Sequence, residues 1–126
     1  MLSELKMLLC TMPEPVPLNP EIIWETKKDG LIQQKILLDL EEDMSVSALV
    51  YRPETAKEQQ LPAILCNHGH GEFGKDSVMG IRSNSESQRA VEIESMNYDY
   101  GLQMAKHGYV TMAIDWRGFG ERADGG

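Results

Sequence analysis

Between Lys35 and Val50 apolar and polar residues alternate with a period of two. Ile36, Leu38 and Leu40 alternate with Lys35 and Asp39, and Val46, Ala48 and Val50 alternate around Ser47. With the acidic stretch Glu41 to Asp43 between them, the two runs predict an antiparallel hairpin. Pro53 stops its second strand, and Glu54 to Gln60 follows as a polar loop. Upstream, Leu2, Leu5 and Leu9 recur at helical spacing, which predicts a short amphipathic helix ended by the series Pro13, Pro15, Pro17 and Pro20. Glu21 to Lys28 fits a strand or a helix, and Asp29-Gly30 marks a turn.

Ala63 to Cys66 is a short unbroken apolar run after Pro62, the pattern of a strand covered on both faces. Tyr98, Leu102 and Ala105 share a helical face, with Ser95 or Asn97 as the predicted cap and Gly108 as the stop. Tyr109 to Ile114 is a second apolar strand. Strand, helix and strand in this order predict a right-handed βαβ unit with parallel strands. Ligands bind beyond the carboxyl ends of such strands, so function is expected after Cys66 and Ile114. The fold class expected is α/β, an antiparallel hairpin leading into a mostly parallel sheet.

The chain has 126 residues, a formal charge of -8 and two cysteines. Such a charge disfavours nucleic acid and anionic membrane surfaces as partners. No apolar run reaches the length of a membrane span, and Glu4 and Lys6 interrupt the N-terminal apolar stretch, so no secretory signal is expected. Cys10 and Cys66 are too few for a disulfide scaffold. Together these features place the expected site of action in the cytoplasm.

Two sequence motifs fall at the expected loops. His68-Gly69-His70-Gly71 sets two imidazoles and two glycines directly after a buried strand. Glycines there let a substrate approach a main-chain N–H, and in acyl transfer such an N–H stabilises the oxyanion of the tetrahedral intermediate. The N–H of His70 is the candidate donor. Two other readings stay open: a glycine turn whose histidines satisfy local backbone, and a metal pair at His68 and His70 that needs further ligands. Asp115-Trp116-Arg117-Gly118-Phe119-Gly120 follows the second strand. Asp115 can accept backbone N–H bonds, Arg117 can pair with a carboxylate or carbonyl, and Gly118 and Gly120 permit a tight bend, a structural turn. Phe73 to Asn97 is a long polar excursion, with a helical turn expected around Ser87 to Ile93, and reads either as a substrate-shaping lid or as a mobile insertion. No Gly-x-Gly-x-x-Gly or phosphate loop is present, so no organic cofactor is expected.

In order, the runs Leu49 to Pro53, Ala63 to Gly71, Tyr100 to Val110 and Asp115 to Gly120 resemble the N-terminal part of an α/β-hydrolase of the dienelactone hydrolase and acetyl xylan esterase branches. The resemblance spans about Trp24 to Gly120. It implies residues 1–20 as helix and connector and 21–126 as a partial α/β-hydrolase domain. It also implies that His70 supplies an oxyanion N–H, that His68, Gly69 and Gly71 shape that loop, and that the Asp115 turn is structural. The family's nucleophile sits in a later Gly-x-Ser-x-Gly elbow. None of the eight serines here stands in one, and His107, at a helix end, does not match the family's catalytic histidine. The expectation is therefore an N-terminal portion of a serine-type ester hydrolase that is inactive alone, with a small ester as substrate once the nucleophile and the rest of the triad are supplied. The fold implies an open apolar edge beside Ala63 to Cys66 where the nucleophile strand belongs. This leaves a non-catalytic oligomerisation or binding module, a homo-oligomer joined through that edge, as the alternative.

Overall fold

The computed structural model describes residues 2–9, 13–56 and 59–123. Helix α1 (Leu2–Leu8) precedes five strands: β1 (Glu21–Lys28), β2 (Leu31–Glu41), β3 (Met44–Pro53), β4 (Ala63–Cys66) and β5 (Val110–Ile114). Between β4 and β5 lie α2 (Lys75–Val78), α3 (Gln88–Met96) and α4 (Tyr100–Lys106). The strands form one mixed sheet in the order β1-β2-β3-β5-β4.

Glu21 to Lys28 resolves as a strand because it pairs antiparallel with β2 through the Asp29-Gly30 turn. Both turn residues have positive φ, 55° and 72°, the geometry that matches the twist of a two-residue hairpin. The predicted hairpin is β2 with β3, in one register from Leu31 opposite Pro53 to Asp39 opposite Ser45, with a shift before Glu41 opposite Met44. β3 pairs antiparallel with β5, and β5 pairs parallel with β4, which completes the βαβ unit.

The period of two sends alternate residues to opposite faces. On one face Leu31, Leu49, Tyr51, Cys66 and Ala113 pack with Val78, Met79 and Ala105 of the helical layer. On the other, Val46 and Ala48 meet Leu38, Met112 and Ile114. Burying a side chain of this size stabilises by about 1.5–3 kcal/mol, so the two-faced sheet is the main source of cohesion.

Two local readings change. Asn97 does not begin the crossover helix: it ends α3 in the left-handed conformation, φ 49°, and Ser95 lies inside α3. The N-cap of α4 is Asp99. The Phe73 to Asn97 stretch is not a loose insertion, because Lys75, Ser77, Val78, Met79, Ala90 and Ile93 are buried in it, and the helical turn expected around Ser87 to Ile93 belongs to α3. Ser87 caps α3, its hydroxyl accepting the Ala90 N–H at 3.1 Å. Its Ser- and Glu-rich composition had hidden this packing, since only every third or fourth residue is apolar. Helix α1 buries no residue, and the reading of Cys10 falls outside the described residues.

Candidate functional site

The two loops singled out in the sequence meet at the carboxyl ends of β4 and β5. Buried His68 is the joint: its Nε2 accepts the backbone N–H of Trp116 at 3.0 Å. Nδ1 therefore carries the proton and donates to the Gly69 carbonyl at 2.8 Å. The rings of His68 and His70 both meet Phe119 edge-on, with centroids 5.3 and 5.5 Å away. With one nitrogen of His68 accepting and the other donating, its imidazole has no lone pair left for a metal. No group of three or more His, Cys, Asp or Glu among the described residues is placed to hold one.

The loop backbone is tied at alternate positions. The Asn67 carbonyl accepts from the Tyr100 hydroxyl, the Gly69 N–H donates to the Tyr98 hydroxyl at 2.6 Å, and the Gly71 N–H donates to the Gly69 carbonyl at 3.0 Å. Among the described residues no group accepts the His70 N–H. Beside it opens a cleft of about 330 Å³, lined by His70, Gly71, Glu72, Gly118, Phe119 and Gly120.

Under the cleft, Asp115 organises both loops. One carboxylate oxygen accepts the Lys75 N–H at 2.8 Å; the other accepts the Glu121 N–H at 3.0 Å and the Lys75 ammonium at 2.6 Å. Lys75 and Asp115 are each 1% exposed, which makes this a fully buried ion pair. Glu121 adds a second carboxylate at 3.0 Å from Lys75 and also takes Lys35 and the Ser47 hydroxyl. Burial works against the Lys75 ammonium, but its hydrogen bonds to Asp115 and Glu121 outweigh this and hold its pKa above the ordinary value. Close approach requires glycine on both sides: a Cβ at Gly74 would lie 2.2 Å from the Asp115 carboxylate and one at Gly120 2.5 Å from it.

The matched sequence segment is long enough to decide the family. The Abhydrolase family matches residues 4–126. The chain belongs to the Abhydrolase family. A Bacteroides fragilis protein assigned as an acetyl xylan esterase, known from its crystal structure, has the same fold: TM-score 0.70 at 24% identity, over 87% of this chain. The chain spans 28% of the length of that protein. No curated protein matches.

Two further features of the Abhydrolase-family chain stand out. Arg117 is spent on an exposed ion pair with Glu41, away from the cleft. β4 is an edge strand, with Leu65 59% exposed and a second cleft of about 600 Å³ running from Leu65 and Ile114 to Trp116 and Phe119. The sequence reading did not place Lys75, Tyr98 or Tyr100 in the site. Lys75 lies in a stretch of Ser, Glu and Arg. Its partner Asp115 is 40 positions away, and nothing in the spacing announces the pair. No helix among the described residues is long and apolar enough to cross a membrane.

Proposed function

We propose that these residues are the N-terminal portion of a serine-type carboxylic ester hydrolase that acts on a small ester in the cytoplasm. The His70 N–H serves as an oxyanion donor, and the nucleophile, its base and its acid come from residues outside the 126. The observation that carries the reading is the His70 N–H, unengaged among the described residues, on a loop at the carboxyl end of β4 whose Asn67 carbonyl, Gly69 N–H and Gly71 N–H are each hydrogen-bonded. A serine oxygen attacks the ester carbonyl while its proton passes to the base. The carbonyl oxygen takes the negative charge and is met by the His70 N–H. The base then returns the proton to the departing alcohol, and water releases the acid. Phe119 gives the substrate an apolar wall, and His68, Gly69 and Gly71 hold the donor in place. The pinned, neutral His68 counts against a metal-dependent mechanism through His68 and His70. On this reading the 126 residues alone do not turn over an ester.

The test is a pair of variants in the complete gene product, assayed with p-nitrophenyl acetate. His70→Pro deletes the N–H, and kcat should fall by about 10²–10³. His70→Ala keeps the N–H and should stay close to the parent. Equal loss in both variants would refute the assignment. A second reading, an assembly module joined edge to edge, draws on the open β4 edge. It predicts that Leu65→Lys dissociates an oligomer without altering any esterase activity.

A further inference from the structure

A row of polar side chains crosses the helix-covered face of the sheet. Gln33 is opposite Tyr51 in the β2–β3 register, and Tyr51 is opposite Thr111 in the β3–β5 register, so the three point the same way. All three are nine-tenths buried or more: Gln33 at 7% exposure, Tyr51 at 1% and Thr111 at 0%. None has a hydrogen-bond partner among the described residues, and Thr111 Oγ1 is an orphan sealed from solvent. Thr111 does not line the cavity described below, whereas the polar groups of Gln33 and Tyr51 meet solvent there, where a ligand can take the place of water. The neighbouring row toward the other end of the same strands, Ser47 opposite Leu37 with Asp115 beyond, is fully engaged by Lys75 and Glu121.

Gln33 and Tyr51 open onto a cavity of about 360 Å³ at the amino-terminal end of β5, the opposite end from His70. Lys28 from the β1–β2 turn and Lys106 from the end of α4 line it, and neither has a carboxylate partner among the described residues. Arg82, also on the wall, pairs with Glu94 and, at 3.5 Å, with Asp99. Asp29 supplies one negative charge against the two free ammonium groups. The balance favours an anion, and the uncharged Gln33 and Tyr51 groups favour a ligand that also carries hydroxyls.

We propose that this cavity binds a small hydroxylated carboxylate, with its hydroxyls on Gln33 and Tyr51 and its carboxylate between Lys28 and Lys106. Burial, and then the charge of Asp76, push the Tyr51 phenol well above its ordinary pKa, so it stays a donor. The volume falls within the range of small-molecule sites. The proposal does not depend on the ester chemistry at His70.

The experiment is calorimetric titration of the complete gene product with sodium gluconate, and with sorbitol and acetate as probes of hydroxyl and charge alone. Saturable one-to-one gluconate binding is expected, with sorbitol and acetate each weaker. Lys28→Ala/Lys106→Ala and, separately, Gln33→Leu should each weaken it at least about tenfold. The lysine pair is exposed and its replacement leaves the core intact, so that variant reports even if Gln33→Leu misfolds. Absence of saturable gluconate binding, or binding unchanged by the lysine double variant, overturns the proposal.

Discussion

Trp116 donates its backbone N–H to His68 Nε2 at 3.0 Å, and this bond joins the loop after β4 to the turn after β5. It fixes the imidazole as the neutral Nδ1–H tautomer and turns a glycine-rich loop into a held one. Replacing His68 by Ala leaves the Trp116 N–H without an acceptor and removes the ring from Phe119. The expected loss is about 1–3 kcal/mol, read as a lower urea midpoint with unchanged slope.

The Lys75–Asp115 pair should behave as a unit. Lys75→Met strands a carboxylate that is 1% exposed and should cost about 3–5 kcal/mol. Asp115→Asn should also destabilise, because three donors converge on that carboxylate. The double variant should be more stable than the sum of the singles by at least about 1 kcal/mol. Simple additivity would mean that the two groups do not interact.

Gly74 and Gly30 provide a contrast. Both have positive φ, 52° and 72°, so alanine is strained at each, and more at Gly74, whose ψ of -131° also takes it out of the left-handed helical well. Only at Gly74 does the new Cβ meet an obstacle, the Asp115 carboxylate at 2.2 Å, while at Gly30 nothing lies within 4 Å. Gly74→Ala should therefore lower Tm clearly more than Gly30→Ala.

Acid sensitivity should trace in part to Glu121. Burial tends to raise its pKa, but hydrogen bonds from Lys35, Ser47 and Lys75 draw it down to about 2. A depressed carboxyl contributes stability in full above its ordinary value of 4.5 and loses it as pH falls toward about 2. Asp76 acts in the opposite sense, since burial raises its pKa and protonation relieves a cost. The difference in Tm between the parent and Glu121→Gln isolates the first effect. It should be largest near neutrality and shrink on acidification through that window.

Strands β2 to β5 and the two loops were legible in the sequence because each has a local signature, alternation in β2 and β3, apolar runs in β4 and β5, and glycines at the bends, whereas β1 stayed open between strand and helix, a choice that its pairing with β2 decides. The helices of residues 75–96 were legible only in part, because α2 is one turn long and α3 buries just Ala90 and Ile93. The Lys75–Asp115–Glu121 network and the polar row of Gln33, Tyr51 and Thr111 were not legible. The first joins a one-turn helix to a loop 40 positions away, and the second depends on strand register, which periodicity alone leaves free to slide until the sheet is assembled.

The most direct test of the central claim is the intact mass of the gene product purified from its natural source, before and after a serine-directed fluorophosphonate. The account predicts a mass far above 14.2 kDa, with a single adduct on a serine outside these 126 residues. A mass of 14.2 kDa without an adduct, or an adduct on one of the eight serines present here, would contradict it.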